Sequence, residues 1–374
     1  MKICFWGNIG RALKDKTSGG GELQIALLAK VLAKGGHEVV VLDYNITEEF
    51  QTDEGIKVYP IIGWNNGIRI IRTLTHKLPK LYSCLRDQKA DVYYCRIRDP
   101  RHLIAWLAAR KVKAKFILGL AEDLDVMSFR MRWKYYYANN FHNLWTIFNG
   151  ILSEIIYPKL LRKSDFIFVQ HDGQKQMLHR KGIQAVLVPN LIDLSQMPVI
   201  LTPIHSYFVF VGWLDNRKGV ADLFKLVEKA PFATFKIIGP PRDKSGYLYY
   251  EKLKSFPNVS LLGELNHSDA LQHIANSKAL INTSRMEGFP NIFIEAWAFG
   301  VPVLSLYVDP GSIIEKEDLG DVAHGNIDKL LLDMNNKVYS DEFAKRAKAY
   351  VEKNHVLNDT KIKEINCLFA ELVK

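Results

Sequence analysis

A chain of 374 residues has room for about two domains, and an apolar content of 48% excludes a disordered chain. Four scattered cysteines, Cys4, Cys84, Cys95 and Cys367, form no CxxC pair, which argues against a disulfide framework or a thiolate metal site and suits a reducing compartment. The net charge of +10 is uneven: residues 1–197 hold 29 Lys and Arg against 18 Asp and Glu, a balance of +11, whereas residues 198–374 hold 21 against 22, a balance of −1.

The chain opens on a strand, Lys2 to Trp6, with no apolar core long enough for a secretory leader. Nowhere does it reach the roughly 18 uninterrupted apolar residues of a membrane-spanning helix. Ser18-Gly19-Gly20-Gly21 then precedes a helix marked by Leu23, Leu27, Leu28, Val31 and Leu32. Gly35-Gly36 ends that helix, and His37 to Tyr44 is the next strand. Further strands are expected at 92–95, 116–120, 166–170 and 185–188. Helices separate them, so the sheet should be parallel.

A second start follows the proline-bearing stretch from Pro198 to Pro203. Tyr207 to Val211 reads as a buried strand and about 219–229 as a helix, with more strands at 235–238, 259–262, 279–283 and 301–305. The expected organisation is an α/β protein with domains over 1–197 and 198–355. A closing helix within 356–374 is a candidate to pack back on the first domain.

Three stretches carry the pattern of a site. In Glu287-Gly288-Phe289-Pro290-Asn291, a turn leads into a helix near Asn291. A helix N-terminus offers unbonded N–H groups and a positive dipole end, which suit a phosphate. Glu295 follows among apolar residues, where a carboxylate is costly without a partner such as a pair of sugar hydroxyls. Alone, it equally fits a glutamate favouring the helix dipole. In Gly212-Trp213-Leu214-Asp215-Asn216-Arg217-Lys218-Gly219, two cations in a strand-to-helix loop make a diphosphate cradle or a solvated pair. Gly19, Gly20 and Gly21 form either a close backbone approach to a ligand or a flexible loop.

Glu287 and Glu295, with seven residues between them inside EGFPNIFIEAWAFGVPV, resemble the EX7E signature of retaining GT-B glycosyltransferases of the GT4 type, and the resemblance covers nearly the whole chain. It implies two Rossmann-like domains facing a central cleft, the acceptor on the N-terminal one and a UDP- or GDP-linked sugar on the C-terminal one. By that likeness Glu287 contacts the donor sugar in the catalytic centre and Glu295 the ribose. Gly288, Phe289, Pro290 and Asn291 face the sugar and diphosphate, Gly212, Arg217 and Lys218 serve the diphosphate, and Gly19 to Gly21 edge the cleft. Trp213 stands where the family usually has arginine. Where many members carry an N-domain histidine, this chain has Glu122 and Asp123, which become the candidate sugar contacts. Val188-Pro189-Asn190-Leu191-Ile192-Asp193 and Leu262-Gly263-Glu264 add smaller likenesses.

Residues 130–163 hold eight aromatics and the cations Arg130, Arg132, Lys134, Lys159, Arg162 and Lys163 against one acid, Glu154. Residues 68–89 add six more cations along a Leu/Ile stripe. This composition suits an anionic membrane surface or an ordinary core with a solvated face. The reading is a retaining, metal- and cofactor-independent transferase of a hexose-type sugar to a glycan or lipid-linked acceptor in cell-envelope or exopolysaccharide assembly. It would be cytoplasmic, or peripheral on the inner membrane face. The alternatives are an NAD-linked oxidoreductase, which lacks its GxGxxG turn here, and a non-catalytic nucleotide-sugar-binding protein of the same fold. No nucleic-acid motif is present.

Overall fold

A computed structural model of the chain describes residues 1–14, 19–68, 71–133, 144–200, 205–336 and 340–373. They form two compact units. The first comprises Met1–Ala121, Phe141–Leu191 and Leu357–Lys374, and the second Glu122–Asn140 and Ile192–Val356.

The first unit runs β1 (Lys2–Trp6), α1 (Gly20–Lys34), β2 (Glu38–Asp43), β3 (Phe50–Gln51), β4 (Lys57–Pro60), α2 (Leu78–Gln88), β5 (Val92–Arg96), α3 (His102–Lys111), β6 (Lys115–Gly119), α4 (Leu144–Lys163), β7 (Phe166–Val169), α5 (Asp172–His179) and β8 (Val186–Leu187). Its sheet has the order β3-β4-β2-β1-β5-β6-β7-β8. Every pairing is parallel except β3 with β4, an antiparallel exception to the expected sheet. The strands are apolar on both faces, as a helix-covered parallel sheet requires. Ile3, Phe5, Val39, Val41 and Val92 are all within 1% of full burial.

The second unit continues with β9 (Phe208–Val211), α6 (Val220–Lys229), β10 (Phe235–Ile238), α7 (Lys244–Leu253), β11 (Val259–Gly263), α8 (His267–Ala275), β12 (Ala279–Asn282), α9 (Asn291–Ala298), β13 (Val303–Ser305), β14 (Gly320–Val322), α10 (Ile327–Asn336) and α11 (Asp341–Asn354). Its sheet, β11-β10-β9-β12-β13-β14, is parallel throughout. The strand order reverses between β9 and β12, and the loops at such a switch point form the ligand crevice of open α/β sheets. Beneath them Trp297 of α9 is fully buried. It donates Nε1–H to the Leu319 carbonyl at 2.8 Å and meets Phe293 and Tyr350 edge-on.

The last helix, α12 (Asp359–Val373), belongs to the first unit, where Ile365 and Phe369 join the core. The chain changes unit between residues 191 and 192 rather than at 197/198, and main-chain bonding gives the reason. Leu191 is gripped through both N–H and C=O by the Gln24 side chain of α1, at 2.7 and 2.8 Å. Ile192 instead donates to the His355 carbonyl at 2.9 Å and bridges to Val356.

The aromatic–cationic stretch 130–163 is divided between the two units. Arg130 and Arg132 fall in the second unit and α4 in the first. Arg132 is 7% exposed, its guanidinium donating to the carbonyls of Leu124 and Met127, so burial takes it off any docking face. Ser18, Arg69, Lys134, Tyr135, Tyr136, Tyr137 and Phe141 lie outside the described residues, as does the Trp145 side chain.

Candidate active site

The site of the second unit is built from the loops that follow β9 and β12. After β9, Asp215 accepts the N–H of Lys218 at 2.9 Å, closing a tight turn. Gly219 then has φ +69°, and a Cβ there would stand 2.0 Å from the Thr283 carbonyl oxygen, so only glycine lets this loop lie against the end of β12. Thr283 donates its hydroxyl to the Lys218 carbonyl at 2.8 Å, and Arg285 donates its N–H to the Arg217 carbonyl at 3.2 Å. The two loops are thereby laced together, and Lys218 Nζ meets Glu287 Oε1 at 2.5 Å.

Burial alone would raise the Glu287 carboxyl. The Lys218 ammonium beside it, the Ser284 hydroxyl and the nearby Arg217 guanidinium hold it below the usual carboxylate range instead. Arg217 pairs with Glu122 Oε2 at 3.1 Å. Glu122 precedes a short turn, Asp123–Asp125, in which Asp125 accepts the Glu122 N–H at 3.2 Å. Asp123 donates its own N–H to the Glu287 carbonyl at 3.2 Å. Burial pushes the Glu122 carboxyl up to about 7, with Asp125 and Glu287 adding to the rise and Arg217 and Lys218 opposing it.

Glu295 is the fifth residue of α9, outside its first turn, so a role at the helix dipole does not account for it. With 9% of its side chain exposed, it takes His267 Nε2 at 2.9 Å, and that hydrogen bond raises the histidine. The Phe289 side chain, 4% exposed, packs on Trp297 and on His355 as part of the core. Pro290 has no N–H. Within the turn 288–291, Phe289 and Pro290 therefore offer a ligand no polar side chain, which leaves the main chain, Asn291 and the N-terminus of α9.

The structure thus brings together Glu122, Asp123, Gly212, Arg217, Lys218, Glu287 and the 288–291 turn, with Glu295 four residues further along the same helix. Gly19, Gly20 and Gly21 belong to the first unit, at the N-terminus of α1, where Gly21 leaves room for Ile97 of the loop after β5.

Two further residues come from the fold rather than from any motif in the sequence. His267, at the start of α8, finds Glu295 only through the fold. Arg242, after β10, lays its guanidinium 5.3 Å from the Trp213 ring centre. The Gly239-Pro240-Pro241 turn after a strand was the available hint. Among the described residues no group of three His, Cys, Asp or Glu is placed to hold a metal ion.

The fold is that of GT-B glycosyltransferase structures. Residues 18–196 match the family model described as Glycosyltransferase Family 4, and residues 205–347 the one described as Glycosyl transferases group 1. Among curated proteins, the capsular polysaccharide biosynthesis glycosyltransferase CapM of Staphylococcus aureus is 30% identical over 33% of this chain and 36% of its own. The chain spans less than half the length of the curated relatives it matches at 26–33% identity. Among solved structures, sucrose-phosphate synthase from Thermosynechococcus elongatus aligns over 100% of this chain and 99% of its own, with a TM-score of 0.77 at 15% identity. Anabaena HepE in complex with UDP and glucose aligns over 99% and 98%, with a TM-score of 0.66 at 14% identity.

Proposed function

We propose that the chain transfers a hexose-type sugar from a UDP- or GDP-linked donor, with retention at the anomeric carbon, to a glycan or lipid-linked acceptor in polysaccharide or cell-envelope assembly. The observation that carries this reading is the Lys218–Glu287 pair at the switch point of the second sheet. It sets a cation for a diphosphate 2.5 Å from a carboxylate for sugar hydroxyls. Arg217 and the dipole of α9 add positive charge where the leaving diphosphate develops its own. The bond from the anomeric carbon to the diphosphate oxygen breaks, the acceptor oxygen takes that carbon, and the acceptor's proton leaves with the nucleotide or to solvent. Glu295, held by His267, takes the ribose. The first unit presents the acceptor, with Gly19 to Gly21 at its ligand-facing edge. The UDP and glucose named with the Anabaena structure and the capsular role of the Staphylococcus relative support the donor and acceptor classes.

Calorimetry with a nucleoside diphosphate and with the intact nucleotide sugar tests this assignment. Lys218→Ala should weaken both ligands by about 10- to 150-fold, the worth of roughly 1.5–3 kcal/mol for a hydrogen bond to a charged group. Glu287→Gln should weaken only the intact sugar donor. The diphosphate alone should bind that variant no worse, because Lys218 is released from its partner. Equal weakening of both ligands by Glu287→Gln would sink the assignment. Binding without any sugar transfer would favour the non-catalytic reading.

A further inference from the structure

We propose that Asp222 is the positioning residue of the diphosphate cradle: through Arg285 and Tyr307 it fixes the loop that carries Arg217 and Lys218. This role rests on the donor reading of that loop. Asp222 is 4% exposed, so it acts through the groups it holds and not by meeting a ligand.

Asp222 is the third residue of α6. An aspartate in the first turn of a helix ordinarily serves the unbonded N–H groups there or the positive end of the dipole. Here a single carboxylate oxygen, Oδ2, is turned to two side chains from elsewhere. It accepts from Arg285 Nη2 at 2.7 Å and from the Tyr307 hydroxyl at 3.3 Å. The Arg285 guanidinium also lies over the Tyr307 ring, 5.4 Å from its centre. Arg285 follows β12 and Tyr307 follows β13, while α6 follows the loop after β9. These three strands are neighbours in the order β9-β12-β13, so one buried oxygen joins the segments that leave all three.

The consequence falls on the cations. The Arg285 N–H donates to the Arg217 carbonyl at 3.2 Å, so the residue clamped by Asp222 in turn holds the main chain of Arg217. On the other side, α6 begins one residue after Gly219, which follows Lys218 directly. The pair Arg217-Lys218 is therefore tied to Asp222 from both ends, through the Arg285 main chain and through the first turn of α6. A loop fixed in advance meets a diphosphate without the cost of being ordered by it. The charges are also sorted. Arg285 has its own acid and does not draw Glu122 from Arg217 or Glu287 from Lys218.

Calorimetry on the full chain tests this, with UDP, GDP and the glucose-linked form of each, at a temperature where every variant is folded. Asp222→Asn keeps the size and an oxygen for the Tyr307 hydroxyl but loses the charge that holds Arg285. It should weaken the nucleoside diphosphate and its glucose-linked form by the same factor, about 5- to 20-fold, because the cradle reads the diphosphate they share. Arg285→Met should behave alike. Arg285→Lys keeps a cation for Asp222 and should recover most of the parent's affinity. A folded Asp222→Asn that binds as the parent does, while Lys218→Ala is weakened, would overturn this role alone and leave the network a purely stabilising one. A loss confined to the glucose-linked form, or an Arg285→Lys no better than Arg285→Met, would overturn it as well. A parent that binds none of the four ligands would overturn the donor reading and this role with it.

Discussion

On the proposed donor reading, Glu122 competes with an incoming diphosphate for Arg217. Below about 7 its carboxyl is neutral and leaves Arg217 to a phosphate. Above that value the carboxylate holds Arg217 and repels the ligand. Affinity for an intact nucleotide sugar should therefore fall as pH rises through about 7. An intact donor is the right probe because its diphosphate lacks the terminal ionisation near pH ~6. The pair is partly exposed, so the change should be about two- to fivefold. Glu122→Gln should flatten the profile while keeping the tighter limb. Stability follows the same sign. A carboxyl raised in the folded state contributes fully below the ordinary carboxylate range, and that contribution is lost as pH rises through about 7. A donor titration flat across neutral pH in the parent would show that Glu122 does not compete for Arg217.

At the scale of elements, the switch-point junction depends on Gly219. A side chain there combines a left-handed φ with a clash against the Thr283 carbonyl, which belongs to the backbone and cannot swing aside. Gly219→Ala should cost about 2–4 kcal/mol and lower the melting temperature of the second unit by several degrees. A melt within a degree of the parent would mean that the loop after β9 yields. The junction also shows what the sequence could disclose. Each long apolar run became a strand within a residue or two of its expected bounds, because a helix-covered parallel strand needs nothing beyond continuous apolar residues. β3, β4 and β14 escaped because two to four residues mixed with Lys, Gln, Asp or Pro carry no period. Local motifs singled out Glu287, Glu295 and Lys218 as candidates. Their partners were hidden because only the fold joins His267 to Glu295 across 28 positions and Glu122 to Arg217 across 95.

For the whole molecule, the consequential feature is that the chain leaves the first unit after Leu191 and re-enters it at Leu357. The first unit is therefore finished only by the last helix. Phe369 of α12 is fully buried and meets Phe168 of β7 edge-on at 5.5 Å between ring centres. Asn366 donates its side-chain N–H to the Val31 carbonyl of α1 at 3.1 Å. Removing the Phe369 ring should cost the first unit about 3–5 kcal/mol, the usual price of a large aromatic cavity. The second unit has its own sheet and its own core around Trp297, so it should not feel the cavity directly. Two units need not unfold in one step, and a nucleotide sugar bound to the second raises only the transition in which its site is lost. In Phe369→Ala, a calorimetric scan should show an early transition that excess donor does not move and a later one that it does. Titration at low temperature should return the parent's donor affinity. A single donor-sensitive transition in the variant would mean that the two cores unfold together, and that α12 stabilises the molecule as one body rather than completing the first unit alone.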